Sequence, residues 1–411
     1  MIPLTLDEVA GLCPGRLDAA PGARQITGVR VDSRLVAAGD LFVAVNDPGA
    51  EFTADALERG AAAALIPENG FAALAALGGA VRDRSGARVV GITGSAGKTS
   101  TKDILAAICR PHARTVAAEE SLNNEIGVPL TLCRLESDTE VCILELAMRG
   151  PGQIADLCAF ARPDVGVITT IGAAHVEQLG SIEAIARAKS ELVDVLPSGG
   201  TAIVPPDLPV ARGDLAVIHL TEPEARVEAG RTLIRWDGRE IAFDFTAAHQ
   251  ARNALAALHA ARAVGVEPDN KVSVAFSRWR GEEVALPGGG LLVNDAYNAN
   301  PLSMQAALEH LVAQAAGRKT VAILGEMAEL GPDSPRYHQE IGTAAKNLGV
   351  DVVIGVGELA RFYEPDDWCA DPAAAIDMAR TVIHPGDCVL VKGSRAAGLE
   401  LVADALASAP V

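Results

Sequence analysis

The string GSAGKTS at residues 94–100 has the residue types of a phosphate-binding loop but an unusual spacing. In the common pattern G-x-x-x-x-G-K-[ST], the first glycine stands five residues before the second. Counting five residues back from Gly97 reaches Ile92, and the nearest earlier glycine is Gly94, so the pattern here is G-x-x-G-K-T. This departure indicates a distinct ATPase lineage and does not argue against phosphate binding.

The residues on either side of this string predict a turn between a strand and a helix. The preceding RVVGIT is apolar and β-branched, as in a buried strand, and Ile104, Leu105 and Ile108 follow at helical spacing. The free N–H groups at the start of such a helix bind phosphate. Lys98 would then reach the terminal phosphates, and the Thr99 hydroxyl would bind Mg²⁺. The alternative is a surface turn with an incidental Gly-Lys-Thr.

Two further predicted strands end in polar residues. VCILEL ends with Glu145, and DVGVITTIG leads into AAHVEQLG, which contains His175 and Glu177. Because ligands of open α/β sheets bind beyond the carboxyl ends of the strands, these groups are expected beside the phosphate loop. A carboxylate and an imidazole there suggest metal binding or charge relay. Taken singly, Glu145 could be a helix-capping acid and His175 a polar loop residue.

A lysine interrupts the apolar stripe of the helix predicted from SIEAIARAKSELVDVLP. Lys189 lies seven residues after Ile182 and seven before Leu196, on the face that also carries Ile185 and Leu192. Its ammonium group could extend past the core edge into water. Alternatively, a buried lysine loses its proton, and the neutral amine can add CO₂ to become an anionic carbamate. The pattern alone favours the first interpretation.

The composition limits the partners and the compartment. The chain has 411 residues, a formal net charge of −18 and 49% apolar residues. The negative charge argues against nucleic acid or anionic membrane as a partner. The seven cysteines are scattered without a C-x-x-C pair, which is typical of reduced core residues in a cytosolic protein. The start MIPLTLDEVAGL lacks the basic residues of a signal peptide, and the longest uncharged stretch is too short to span a bilayer. We expect a cytoplasmic protein without membrane insertion.

The length and the alternation of strands and helices predict an α/β fold with three domains. A small N-terminal α/β domain is expected at residues 1–83. A central P-loop ATPase domain with a mostly parallel sheet follows at residues 84–283. A doubly wound, Rossmann-like C-terminal domain would occupy residues 284–411.

Together these residues resemble the Mur ligase family, the ATP-dependent enzymes that build the peptidoglycan stem peptide. Members have the short G-x-x-G-K-[ST] loop, and the resemblance extends through SLNNEIGVPLTL, AAHVEQLGSIEAIARAKSEL, HQARNALAAL, DAYNANPLSM, LGEMAELG and LVKGSR. The strings YNANP and GEMAELG point to the branch that adds D-alanyl-D-alanine. The D-N-P-R acceptor motif of the branch that adds the third stem residue does not occur in the sequence.

The resemblance implies roles for particular residues. ATP would be bound by Thr93, Gly94, Ser95, Ala96, Gly97, Lys98, Thr99, Ser100, Asn253, Arg280, Asp295 and Asn298. Mg²⁺ would be bound by Thr99, Glu145, His175 and a carbamate on Lys189, which reverses the preference from the pattern alone. The catalytic residues would be Lys98, Glu145, His175 and Lys189. The sugar nucleotide would contact Ser33, Arg34, Asn123 and Asn124, and the acceptor side would comprise Asn300, Lys392, Ser394 and Arg395.

The resemblance also implies a reaction. A carboxylate of UDP-N-acetylmuramoyl-tripeptide would attack the γ-phosphate of ATP, and the amine of D-alanyl-D-alanine would attack the resulting acyl phosphate. We expect a monomer that closes by hinge motion and that needs ATP, Mg²⁺ and a carbamylated Lys189. Three alternatives remain open: a ligase of the same family that adds a single amino acid, a signalling NTPase, and a non-catalytic nucleotide-binding protein.

Overall fold

The computed structural model describes residues 1–173 and 176–408, apart from the side chains of Asp47 and Pro48. The first part of the chain forms a mixed sheet. The elements are β1 (Leu4–Thr5), α1 (Leu6–Leu12), β2 (Gly15–Ala19), β3 (Gln25–Ile26), β4 (Gly28–Arg30), β5 (Asp40–Val43), α2 (Thr53–Glu58), β6 (Ala63–Pro67) and α3 (Gly70–Arg84). The strands form a four-stranded sheet in the order β2-β6-β5-β4 and a short pair, β1-β3.

The middle of the chain forms a parallel sheet that carries the phosphate loop. Its elements are β7 (Arg88–Thr93), α4 (Lys98–Cys109), β8 (Thr115–Ala117), α5 (Gly127–Leu132), β9 (Val141–Glu145), α6 (Gln153–Ala161), β10 (Val165–Ile168), α7 (Val176–Leu179), α8 (Ile182–Asp194), β11 (Thr201–Val204) and β12 (Ala216–His219). The strand order is β12-β11-β10-β7-β9-β8, and all five pairings are parallel. The loop after β7 therefore lies between the ends of β10 and β9, as the strand-end argument predicts.

A second, mainly antiparallel sheet follows, which the sequence analysis did not single out. It consists of β13 (Ala225–Glu228), β14 (Arg231–Trp236), β15 (Arg239–Phe243) and β16 (Lys271–Val272), with α9 (Ala248–Ala263) between the last two strands. Helix α9 packs against α4. Ile234, Ile241 and Phe243 belong to the same apolar cluster as Ile104 and Leu105 of α4. This sheet therefore supports the helix that starts at the phosphate loop.

The last part of the chain forms a doubly wound sheet, as predicted. Its elements are β17 (Glu282–Ala285), β18 (Leu291–Asp295), α10 (Pro301–Ala315), β19 (Thr320–Gly325), α11 (Ser334–Leu348), β20 (Val352–Val356), β21 (Asp367–Cys369), α12 (Pro372–Val382), β22 (Cys388–Lys392) and α13 (Glu400–Ser408). The order is β17-β18-β22-β19-β20-β21, in which only β17 runs antiparallel to its neighbour. Strand β17 begins two residues before the boundary predicted at residue 284.

The seven cysteines are all buried and free. Within the described residues, no helix has the length and apolar character that crossing a bilayer requires.

Candidate active site

The phosphate loop depends on two glycines that no other residue could replace without rearrangement. Gly94 has φ +147° and Gly97 has φ +82°, conformations that L-residues with side chains rarely adopt. A Cβ atom on Gly94 would overlap the Thr169 hydroxyl, and one on Gly97 would overlap the side-chain oxygen of Asn253. The bare backbone and the start of α4 form a cradle that fits a phosphate group.

Lys98 folds back over this loop. Its Nζ atom donates a hydrogen bond to the Gly94 carbonyl oxygen at 2.8 Å. Burial lowers the pKa of Lys98, the nearby Glu145 charge partly opposes that shift, and Arg280 adds to it. The side chain can leave the carbonyl and contact a phosphate in the loop, which would supply the negative charge that burial removes.

Glu145, at the end of β9, is held by two neighbours and is only 1% exposed. Its Oε2 atom accepts a hydrogen bond from the Thr99 hydroxyl at 2.8 Å. Its Oε1 atom accepts one from the Asn123 side-chain amide, also at 2.8 Å. Carboxylate and hydroxyl oxygens next to a phosphate cradle are suitable ligands for Mg²⁺, a cation that retains several waters. Groups of three or more His, Cys, Asp or Glu side chains placed to bind a metal do not occur among the described residues.

Lys189 is buried in α8, with 1% of its surface exposed. Its side chain therefore does not extend into water, contrary to what the pattern alone favoured. Within the described part of the chain, its amine has no hydrogen-bond partner. Burial lowers the pKa of Lys189 well below its ordinary value, and the positive charge of Lys98 lowers it further. The unprotonated amine is thus favoured. His175, which was predicted to act with Lys189, lies outside the described residues.

A cavity of about 350 Å³ separates the phosphate loop from the C-terminal sheet. The predicted residues that line it are Ser95, Ala96, Gly97, Lys98, Thr99, Ser100, Asn123, Glu145, Asn253, Arg280, Asp295, Asn298, Asn300 and Lys392. Thr93 and Gly94 lie directly before this wall, at the end of β7 and in the loop. The cavity therefore joins groups from both large sheets.

The nucleotide-side candidates are fixed by neighbours around this cavity. The Asn253 amide donates to the Gln250 side chain at 2.9 Å. The Arg280 guanidinium lies 4.0 Å from the centre of the Tyr297 ring and donates to the Ser121 hydroxyl at 3.0 Å. These contacts orient planar groups towards the space beside the phosphate loop.

Of the four residues predicted on the acceptor side, two line the cavity, Asn300 and Lys392. The buried Lys392 ammonium pairs with Asp295 and donates to the Asn298 carbonyl oxygen at 3.0 Å. Lys392 thus fixes the two residues predicted to contact the nucleotide. The amide of Asn300 crosses to the phosphate loop and donates to the Ser95 carbonyl oxygen at 3.0 Å.

Ser394 and Arg395 do not line the cavity. The Ser394 hydroxyl accepts a hydrogen bond from the Ala328 N–H at 2.8 Å and so holds the loop that follows β19. The Arg395 guanidinium pairs with Glu400 at 2.6 Å and lies 4.5 Å from the Trp279 ring. Ser394 also lies 3.5 Å from the carbonyl oxygen of the lining residue Ala299, whereas Arg395 contacts residues outside the cavity.

The sugar-nucleotide candidates do not all meet in one place. Ser33 and Arg34 lie in a short 3₁₀ helix of the first sheet region, where Ser33 is buried and Arg34 pairs with Asp32 at 2.6 Å. Asn123 contacts Glu145 as described above. The Asn124 side-chain oxygen accepts the N–H groups of residues 126 and 127 at the start of α5, so its observed contacts are structural.

Several lining residues were not predicted. They are Ala147, Thr170, His249, Gln250, Arg252, Gly281, Tyr297, Ala299, Leu302, Ser303 and Ala306. His249 is the most distinctive, because burial lowers its pKa to about 4. The only sequence signal for it was its place at the start of the H-x-x-x-N string.

A larger and more open crevice of about 800 Å³ lies elsewhere, between residues 27–40 and 110–140. Its arginines include Arg30, Arg114 and Arg134, which pair with acidic neighbours. Size alone therefore does not distinguish the candidate site, whereas the smaller cavity is the one lined by the phosphate loop.

Comparisons with known proteins agree with this geometry. A family model described as "Mur ligase middle domain" matches residues 92–261, and one described as "Mur ligase, glutamate ligase domain" matches residues 279–395. The chain is 35% identical to the UDP-N-acetylmuramoyl-tripeptide–D-alanyl-D-alanine ligase of Mycobacterium leprae, with 99% of this chain and 98% of that protein covered. The protein of the same name from Escherichia coli is 32% identical, with 99% of each covered.

Solved structures give the same result. MurF from Acinetobacter baumannii superimposes with a TM-score of 0.87 at 26% identity, covering 99% of both chains. The MurF ligase of Thermotoga maritima in complex with ADP has a TM-score of 0.81 at 27% identity, covering 92% of this chain and 97% of that one.

Proposed function

Because the chain belongs to the Mur ligase family, we propose that it joins D-alanyl-D-alanine to UDP-N-acetylmuramoyl-tripeptide, with conversion of ATP to ADP and phosphate. The observation that carries this proposal is the cavity in which the phosphate loop and Glu145 face Asp295 and Asn298 of the last sheet. A phosphate-binding loop beside a second, polar wall suits a reaction between a nucleotide and two other substrates.

The first step would form an acyl phosphate. A carboxylate oxygen of the tripeptide attacks the γ-phosphorus of ATP, the bond to the β-phosphate oxygen breaks, and ADP leaves. Lys98 would move from the Gly94 carbonyl to the transferred phosphoryl group, where its positive charge stabilises the transition state. The loop N–H groups would hold the phosphates in line.

The second step would form the amide bond. The amine nitrogen of D-alanyl-D-alanine attacks the acyl carbon, phosphate leaves, and the nitrogen loses one proton. Asn300, Lys392, Ser394 and Arg395 would form or support this side of the site. An acyl phosphate reacts with water, so contact between the last sheet and the phosphate loop would protect it.

We propose that Thr99, Glu145, His175 and Lys189 hold Mg²⁺, with Lys189 converted to a carbamate. The bound cation would neutralise charge on the β- and γ-phosphates. Lys189 suits this role because it is buried, its pKa is lowered, and no other described group engages its amine. Carbamylation would convert the neutral amine that burial favours into an anion that the positive charge of Lys98 attracts.

We further propose three functional domains, at residues 1–83, 84–283 and 284–411, and the pairing of β17 with β18 supports a boundary near the start of the last one. Ser33, Arg34, Asn123 and Asn124 would contact the sugar nucleotide. The expected setting is the cytoplasm, where nucleotide precursors are made.

The test is phosphate release by the purified protein with ATP, Mg²⁺ and UDP-N-acetylmuramoyl-tripeptide, with D-alanyl-D-alanine or single amino acids as acceptor. We expect phosphate and ligated product with the dipeptide alone. Turnover with a single amino acid would overturn the acceptor and place the chain in another branch of the family. Absence of turnover with every acceptor would overturn the proposed reaction.

A further inference from the structure

A buried ion pair lies on α4, one turn beyond the phosphate loop. The Lys102 side chain is 2% exposed and that of Asp103 is 11% exposed, and their charged atoms are 3.2 Å apart. Charges in such places are costly unless they are paired and hydrogen-bonded. Neither residue lines the cavity, so their role must act through the groups that they contact.

Lys102 holds the loop that carries Asn123. Its Nζ atom donates to the carbonyl oxygens of Ala118 at 2.9 Å and Glu120 at 2.6 Å. A few residues later, the Asn123 amide donates to the Glu145 carboxylate at 2.8 Å. The position of this loop therefore contributes, together with Thr99, to the orientation of the Glu145 carboxylate.

Asp103 holds the segment that leads to the last sheet. Its carboxylate accepts hydrogen bonds from the Ser277 N–H at 2.8 Å and hydroxyl at 3.2 Å. Three residues later, Arg280 donates to Ser121 in the loop held by Lys102 and stacks on Tyr297 beyond β18. The loop and the segment are thus joined twice, once through the ion pair and once through Arg280.

We propose that Lys102 and Asp103 are positioning residues that keep Glu145 and Arg280 in register with the phosphate loop. These two side chains are adjacent on α4. Lys102 binds the loop that carries Asn123, and Asp103 binds the segment that precedes the last sheet. A misplacement of reacting groups by about 1 Å can lower the rate about 100-fold. The positions of Glu145 and Arg280 therefore matter more for turnover than for binding. The kinetic part of the inference rests on the proposed function.

The kinetic test uses Lys102→Met, Asp103→Asn and the control Lys319→Met. Lys319 also bonds a backbone carbonyl, that of Val382, but in the last sheet region away from the cavity. For both test variants we expect kcat to fall about 10- to 100-fold, with a much smaller change in the KM for ATP. The control should keep both constants. A folded Asp103→Asn protein with wild-type kcat would overturn the proposal, and this isosteric variant serves if Lys102→Met does not fold.

A second measurement does not require turnover. Trp279 lies between Ser277 and Arg280. Replacing the other two tryptophans, Trp236 and Trp368, with phenylalanine makes Trp279 the single tryptophan whose fluorescence is measured. With Mg²⁺ and ADP as the probe, Asp103→Asn should increase acrylamide quenching of Trp279 and shift its emission, whereas Lys319→Met should not. Unchanged Trp279 fluorescence in Asp103→Asn would overturn the proposed anchoring. Failure of the proposed reaction would instead appear as absent turnover in the wild-type protein.

Discussion

Among single residues, the most informative side chain is a buried lysine that lies near a second lysine. Lys189 is enclosed in α8, where burial and then the positive charge of Lys98 lower its pKa. Burying an ammonium group is costly unless it is paired and hydrogen-bonded, which is consistent with the lowered pKa. The proposed carbamate would instead place an anion beside Lys98.

We predict that Lys189→Ala lowers kcat about 100- to 1,000-fold and that formate or acetate partly restores it. The added carboxylate would occupy the space of the missing carbamate. Lys98→Ala is the matched control: it should also be inactive, but a carboxylate cannot replace its positive charge. In addition, ¹³C-labelled bicarbonate should give a carbamate NMR signal in the wild-type protein that Lys189→Ala lacks.

Full activity of unrescued Lys189→Ala would exclude an essential carbamate at this position. Rescue of Lys98→Ala by formate to the same extent would show that the effect of formate is unspecific.

The sequence predicted the residues whose chemistry is local to a strand end and missed those that depend on distant partners. Lys98, Thr99 and Glu145 could be placed because strand ends in a parallel sheet converge. Lys102 could not, because its partners are backbone carbonyls in another loop and the Ser277 hydroxyl far along the chain. Lys392 was identified, but its pairing with Asp295 depends on the alignment of β22 with β18.

At the scale of elements, helix α10 connects the last sheet to the phosphate loop through its first turn. The Asn300 side-chain oxygen caps this helix by accepting the Ser303 N–H at 2.9 Å. The Asn300 amide nitrogen simultaneously donates to Ser95 in the phosphate loop. One side chain thus stabilises its own helix and reaches across the cavity.

These two roles can be separated by substitution. Asn300→Asp retains a capping oxygen but places a carboxylate against the Ser95 carbonyl, so we expect near wild-type stability and reduced kcat. Asn300→Ala loses both contacts and should also lose about 1 kcal/mol of unfolding free energy. Thermal unfolding and steady-state kinetics of both variants check this. Equal kcat values for Asn300→Asp and the wild type would contradict a role for the contact with Ser95.

The sheet formed by β13–β16 shows what pattern analysis could have recovered. In β14, RTLIRW alternates in burial, with Thr232, Ile234 and Trp236 inside. Turns containing glycine flank the strand at Gly230 and Gly238. Alternation between such turns is the ordinary signal of a hairpin. The contact of this sheet with α9 and α4, by contrast, is a tertiary feature that the local pattern does not contain.

At the scale of the whole molecule, His249 marks the surface where the central and last sheets meet. It begins the H-x-x-x-N string of α9 and faces Asp295, His310 and Lys392 of the last sheet region, with Arg252 on its own helix. Burial is the main cause that lowers its pKa, Asp295 opposes this effect, and His310, Lys392 and Arg252 add to it. Protonation would therefore place an additional positive charge within the meeting surface.

The pKa of His249 falls from 6.5 to about 4 in the folded protein. Between these values the unfolded chain binds the proton more readily, so the free energy of unfolding should decrease as the pH falls from 6.5 to 4. At about 1.4 kcal/mol for each pKa unit, the loss from this group reaches about 3 kcal/mol. Above pH 6.5 its contribution is constant, and below pH 4 no further loss arises from it.

We predict that His249→Gln reduces this pH dependence, measured as the unfolding free energy from denaturant titrations between pH 4 and 7.5. His219→Gln, at an exposed imidazole of β12, is the control and should leave the slope unchanged. The difference between the two slopes isolates His249 from the carboxylates that titrate in the same range. If the unfolding free energies of His249→Gln and His219→Gln change with pH in parallel, the His249 imidazole is not buried in the folded molecule. The two sheets would then not meet closely there in solution.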